Sequence, residues 1–373
     1  MTDLFEAETA TTTTLDLRRL QRNKRRATRR KWTLVATVAG VVIFALGASV
    51  AYNFVGTFER SKTEIADYTG TGQGTIQVVV NSGDTGADIA TTLMDSGVIA
   101  SRQAFLQEWN ANPDSQSIVP GYYFMHREMK AEYALQSLLD PDNRDLKTVS
   151  VAEGSTLEKF YERIAAGTGA SIEDVRAAAK DTEALGLPAE AKGNLEGWLF
   201  PAKYDFNPGV TPTEVLTTMV AKTVTILDKY DVPAKKREAV LTEASLVERE
   251  AKLDEDRPLI ASVINNRIED GMPLGFDSTL KYILPDAGAV LTKSELATDS
   301  PYNTHLNTGL PPGPIASPGE ESIAAVVNPA ETDYLFFVTV NLDTGKTKYA
   351  KTYQQHLKYQ KQLNKWLDEH PSK

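Results

Sequence analysis

The chain is 373 residues long, room for about two domains, and its 41% hydrophobic and 24% charged residues suit a folded body. The absence of cysteine excludes disulfides, cysteine nucleophiles, iron–sulfur clusters and Cys-ligated zinc, and four histidines without paired spacing give no reason to expect a metal or other cofactor. The net charge of −10 is unevenly spread: residues 1–31 carry nine basic and four acidic side chains and the rest is acidic, which excludes a general nucleic-acid partner, because neutralising phosphates needs basic surface.

Residues 1–17 are rich in Thr and acids and read as disordered; Arg18 to Lys31 supply the basic run. No charged residue lies between Lys31 and Glu59. Trp32 to Val55, WTLVATVAGVVIFALGASVAYNFV, exceeds the ~20 residues that a helix needs to cross a bilayer. It is also longer than the ~7–15 apolar residues of a secretory signal peptide. Residues 32–55 are therefore expected to be an uncleaved transmembrane helix. Positive flanks stay inside, so 1–31 is expected as a cytoplasmic tail and the body as extracytoplasmic, in a single-pass cell-membrane protein. The polar, Gly-rich residues 56–75 form a linker.

Ile76 to Val80 reads as a strand and Asn81 to Asp84 as a turn. Asp84 or Thr85 can cap a helix carrying Ile89, Ala90, Leu93 and Met94, which Gly97 ends. The same grammar recurs at Val149 to Val151, Ala152 to Ser155, and a helix from Thr156 bearing Leu157, Phe160, Tyr161 and Ile164. Such units resemble LysM-type carbohydrate-binding modules, and the first matches better; a capped helix after a strand also belongs to many small α+β domains. Residues 76–146 are expected as a LysM-like α/β subdomain. In Asn194 to Pro201, NLEGWLFP, aromatics with the one carboxylate of Glu196 suit a sugar-binding wall and equally a domain core. Thr213 to Tyr230 follows as a helix with Val215, Leu216, Met219, Val220, Val224 and Leu227 inward.

Arg237 to Asp254, REAVLTEASLVEREAKLD, reads as a helix whose buried stripe is Val240, Ala244, Val247 and Ala251. Glu248 falls about 70° to one side of that stripe and Glu250 about 90° to the other, at 100° per residue. A boundary carboxylate facing a cleft is partly desolvated, so its pKa rises and it can hold a proton, as a general acid for glycosidic cleavage must. A surface helix with Glu–Lys and Glu–Arg pairs has the same composition. Ile260 to Arg267 reads as a second buried helix, followed by a turn at Gly271 to Leu274, then Asp277 to Tyr282, DSTLKY. Ser300 to Thr304 (SPYNT) and Gly309 to Ile315 (GLPPGPI) follow; the second, rich in Pro and Gly, can hold polar groups rigidly over a cleft. Phe336 to Val340 and Lys346 to Ala350 flank a hairpin turn, and Lys351-Thr352-Tyr353 leads into a polar C-terminal helix. Two local patterns point elsewhere. Ser278 to Lys281 fits the S-x-x-K of penicillin-binding enzymes, but no K-[ST]-G follows. Gly345-Lys346-Thr347 looks like the end of a phosphate loop, but Val340 stands where its first glycine is required.

With a basic N-terminus, one span, a LysM-like unit, LEGWLFP, EASLVERE, DSTLKY, PYNT, GLPPGPI and KTY in this order, the chain resembles the endolytic murein transglycosylase family, also called YceG-like, from about Ile76 to about His356. The resemblance implies an α+β fold with a membrane helix, the LysM-like subdomain and a mixed α+β catalytic domain over 147–373. It implies a lyase-type enzyme that cuts the MurNAc–GlcNAc bond within nascent peptidoglycan strands and leaves 1,6-anhydroMurNAc ends, which limits strand elongation. It places the catalytic acid–base on Glu250 and substrate contacts on Glu248, Glu196, Asp277, Thr279, Tyr302 and Asn303. Glycan strands are the implied partner, with peptidoglycan synthases nearby and no cofactor. One carboxylate suffices because the nucleophile is the substrate's own 6-hydroxyl, unlike the paired acids of ordinary glycosidases. Two positions depart from the pattern: Ala251 stands where many lytic transglycosylases have Ser or Thr, and Ser278 where the family commonly has Pro. The first removes a hydroxyl that would bond the carboxylate. The competing reading is a non-catalytic, anchored wall-binding protein that recruits synthases; it has no need of the Glu-bearing helix beside PYNT and GLPPGPI.

Overall fold

The computed structural model describes residues 32, 35–53, 65–288 and 290–370. The basic tail and the start of the expected linker lie outside the described residues. Helix α1 (Val35–Asn53) is the one described helix long and apolar enough to cross a membrane, and none of it is buried against the body. Its 19 residues extend about 28 Å at the α-helical rise, close to the thickness of a bilayer's hydrocarbon core.

The body begins with β1 (Gln73–Val80), α2 (Gly86–Asp95), α3 (Arg102–Ala111), β2 (Gly121–Arg127) and α4 (Ala131–Leu139). β1 and β2 pair antiparallel, with Val78 opposite Tyr123 and Val80 opposite Gly121. Alternation along the strands turns Val78, Val80, Tyr123 and Met125 onto Ile89, Leu93, Phe105 and Leu135. Thr85 caps α2: its hydroxyl accepts the Asp88 N–H, and the Asp88 carboxylate accepts the Thr85 N–H at 2.9 Å.

The second unit repeats the order strand–helix–helix–strand, so the sequence echo has a structural counterpart. It comprises β3 (Lys147–Ser150), α5 (Leu157–Thr168), α6 (Ile172–Ala178) and β4 (Lys203–Phe206), with β3 and β4 antiparallel. Val149, Phe160, Ile164 and Val175 pack against Val215, Leu216 and Met219 of α7 (Pro212–Lys229). Thr156 makes no side-chain cap here. The Leu157 N–H donates instead to the Glu196 carboxylate at 3.0 Å, so a residue 39 positions away closes the helix end.

The remainder is built around α8 (Ala234–Glu250) with α9 (Arg257–Glu269), α10 (Asp277–Ile283), α11 (Lys293–Leu296) and α12 (Glu320–Val327). The hairpin β5 (Phe336–Asn341) and β6 (Lys346–Ala350) and the helix α13 (Tyr353–Glu369) complete it. Gly345 ends the hairpin turn over 342–345, and Lys346 and Thr347 already belong to β6. The expected helix over 237–254 is corrected at both ends: α8 starts after Pro233 and stops at Glu250, where Ala251 turns to extended backbone. It is also not a one-sided surface helix, because every residue from 241 to 247 is buried. The cause is packing, since α9, α12 and α10 contact α8, with Leu241, Val247, Ile260, Ile264 and Ile323 in one core. GLPPGPI is likewise drawn into the interior from Gly313 onward, where the Ile315 N–H donates to Ser245 Oγ at 3.1 Å.

A buried ion pair ties the three helices. Arg257 Nη1 lies 3.0 Å from Glu248 Oε2, with side chains 11% and 8% exposed. The same oxygen accepts the Ser322 hydroxyl at 2.7 Å and the Gly319 N–H at 3.2 Å. Glu248→Ala would leave the Arg257 charge with only the exposed Asp254 carboxylate at 3.3 Å and the Ser322 hydroxyl, and a loss of about 1–3 kcal/mol is expected in urea denaturation. Gly197 marks a second tight point. Its φ is +80°, and a Cβ there would sit 2.5 Å from Pro314. Gly197→Ala should lower stability by about 1–3 kcal/mol; an unchanged melting temperature would show that the GLPPGPI segment yields at no cost.

Candidate active site

Glu250 is the last residue of α8, and the Ala251 N–H closes the helix on Val247 O at 2.8 Å. A helix C-terminus carries partial negative charge, so the position already disfavours a carboxylate. The start of α10 lies against it with Asp277 and Ser278. Burial pushes the Glu250 carboxyl well above the ordinary carboxylate range; the hydrogen-bonding groups of Ser278 pull part of that back, the Asp277 charge adds to the rise, and Arg249 opposes it. Ser278 Oγ is buried and makes no formed hydrogen bond, but it lies near enough to bear on the Glu250 charge. The hydroxyl that Ala251 does not provide is thus present from another helix. The Glu250 charge also acts on Arg267, whose guanidinium donates to the carbonyls of Leu335 and Leu274 and lies over the Phe336 ring at 5.2 Å.

The other sequence-derived residues fall into two groups. Asp277 stays at the surface, 54% exposed, with its carboxylate 3.1 Å from His305 Nε2. Tyr302 leans on Tyr282 with ring centroids 5.3 Å apart, and Glu196 hydrogen-bonds with Tyr282 as well as capping α5. Burial raises the Glu196 carboxyl to about 7 against the donors it accepts. Glu248, Thr279 and Asn303 bond to protein. Glu248 holds Arg257. Thr279 is fully buried and donates to Phe276 O at 2.8 Å. Asn303 Nδ2 donates to Leu296 O at 3.0 Å and Thr298 O at 2.8 Å, and its Oδ1 accepts the His305 N–H, which shapes the PYNT turn.

Sequence reasoning missed Glu243. It is buried, its Oε1 has no hydrogen-bond partner, and desolvation raises its pKa to about 8. Seven residues before Glu250 is nearly two helical turns, so both carboxyls sit on one face of α8; that spacing was readable, and it puts Glu243 at the same edge of the expected stripe as Glu250. Among the described residues no three His, Asp or Glu side chains converge as a metal site would require. The site is one carboxyl whose pKa desolvation raises, with a hydroxyl beside it and the Asp277 carboxylate nearby. Such a carboxyl can give a proton and take one back.

The model of the YceG-like family matches residues 78–362. A protein of Bacillus subtilis named endolytic murein transglycosylase is 32% identical over 303 residues, 76% of this chain and 83% of that one. One of the same name from Streptococcus pneumoniae is 30% identical over 315 residues, 75% of this chain and 57% of the longer relative. A solved structure of a yceG-like protein from Listeria monocytogenes is 31% identical, covers 77% of this chain and 99% of that one, and superposes with a TM-score of 0.49. The match to the family model runs from the first strand into the last helix, and the chain belongs to the YceG-like family.

Proposed function

We propose that the protein is a membrane-anchored lytic transglycosylase that cuts peptidoglycan strands internally, with Glu250 as its acid–base. The observation that carries this reading is the Glu250 carboxyl itself, half-buried at the end of α8 and raised by desolvation. In the first step Glu250 gives its proton to the glycosidic oxygen of the departing GlcNAc as the bond to C1 of MurNAc breaks. In the second the Glu250 carboxylate takes the proton of the MurNAc 6-hydroxyl as that oxygen bonds to C1. The ring closes as 1,6-anhydroMurNAc, the carboxyl regains its proton, and no water is consumed. Asp277, Glu196 and Tyr302 are the residues that would meet substrate; Glu248, Thr279 and Asn303 hold the elements that carry them.

The names of the relatives support the reaction class. We read α1 as the anchor, with the basic flank inside and the body outside, where emerging strands and their synthases are found. We also read the first unit, over 76–146, as LysM-like and glycan-holding, and residues 147–373 as the catalytic domain. A cavity of about 370 Å³ opens between the β1–α2 turn and the segment before β2, lined by Asn81, Asp84, Thr85, Trp109 and Gln116. An aromatic wall with polar groups suits a sugar.

Glu250→Gln keeps the size of the side chain but cannot shuttle a proton, and cleavage of uncrosslinked strands should fall by about 10²–10⁴. Mass spectrometry of the digested strands decides between enzyme and binder: wild-type protein that leaves no anhydro ends would sink the enzyme reading. Ser278→Ala removes a group that holds the Glu250 pKa down, so the carboxyl should stay protonated to higher pH. The alkaline limb of the kcat/KM profile, where the acid is lost, should then move upward in pH. A limb that stays put would mean that the Ser278 hydroxyl does not act on Glu250.

A further inference from the structure

A cavity of about 550 Å³ lies between the start of α5 and the second half of α10, with Leu157, Tyr161, Glu196, Lys281, Tyr282 and Pro285 among its walls. Its size is within the range of small-ligand sites. The two tyrosines come from different helices. Tyr282 is fixed in place by its contacts with the Tyr302 ring and the Glu196 carboxyl. Leu157 and Pro285 add apolar surface, and Glu196 provides one polar group that is itself anchored by the Leu157 N–H. Most of the charge at the rim is already matched: Lys159 pairs with Glu162 at 2.6 Å, and Glu158 with Arg176. Aromatic faces, one carboxyl and a largely neutralised rim suit an uncharged polar ring better than an acidic peptide.

α10 connects this cavity to the candidate active site. Asp277 and Ser278, at the start of the helix, face Glu250, and Lys281 and Tyr282, one turn later, line the cavity. One turn advances about 5–6 Å along the axis, a step on the scale of one sugar ring. We propose that this cavity is a subsite for an N-acetylhexosamine ring of the glycan strand, held against the faces of Tyr161 and Tyr282. The identity of the ligand rests on the transglycosylase reading, while the cavity and its walls do not.

The test uses the full chain in detergent carrying Glu250→Gln, so that binding is read without turnover, with peptide-free glycan fragments as one probe and free stem peptide as the other. Adding Tyr161→Leu should weaken binding of the glycan fragments by about tenfold, and Tyr161→Phe should leave it nearly unchanged. Unaltered glycan affinity in the Tyr161→Leu protein overturns the proposal, and so does a loss confined to the stem peptide. If Tyr161→Leu does not fold, labelled tyrosine rings in the Glu250→Gln protein answer the same question. Resonances of Tyr161 and Tyr282 should shift on adding glycan fragments, and unmoved resonances overturn the subsite. Wild-type protein that leaves strands uncut, alongside tyrosine-dependent glycan binding, would defeat the enzyme reading and keep the subsite.

Discussion

The surroundings of Glu250 depend on α8 being enclosed by other helices. A carboxyl at the end of an exposed helix would be solvated and ionised at neutral pH. Here Leu241, Ala244, Leu246 and Val247 are buried to zero exposure, and the last turn emerges at the edge of that packing, with Glu248 and Glu250 half-buried and Arg249 exposed. Glu248 and Glu250 are two residues apart and meet opposite surroundings. Glu248 faces the Arg257 guanidinium and two further donors, whereas Glu250 faces the Asp277 carboxylate and an uncommitted hydroxyl. A cation pairs with the first; desolvation and a neighbouring anion raise the pKa of the second.

The Pro-rich segment and the LEGW segment form one device. Ile315 is tied to Ser245 of α8, and Pro314 occupies the space that a side chain at position 197 would fill. Trp198, in the same stretch, is fully buried and its indole N–H donates to Glu238 at 2.8 Å. Thr223 of α7 donates to the Trp198 carbonyl at 2.7 Å. Glu196 then reaches across to cap α5. One short segment thereby joins the second strand–helix unit to the helix that bears Glu250, and rigidity at Gly197 is transmitted to both sides.

The two departures from the family's motifs also belong together. Ala251 offers no hydroxyl to Glu250, and Ser278, on α10, places a hydroxyl and an N–H near the same carboxyl. Proline at 278 would bring neither.

Much of this architecture was legible in the sequence. The α1 span, the β1 and β3 strand–turn–helix units, the hairpin at 336–350 and the helix bearing Glu248 and Glu250 all follow from local periodicity, caps and turn residues, which act over a few positions. The order of motifs led to the family. What the sequence could not decide is which partner each polar side chain meets. Periodicity put Glu248 and Glu250 alike at a boundary, and Glu243, about 20° around the axis from Glu250, shares it. Tertiary packing gave Glu248 to Arg257, nine residues on, brought Ser278 to Glu250 from 28 residues away, and surrounded Glu243. Helical spacing specifies a direction around one axis; desolvation and charge are summed over every neighbour in three dimensions, and that sum exists only once the helices have packed.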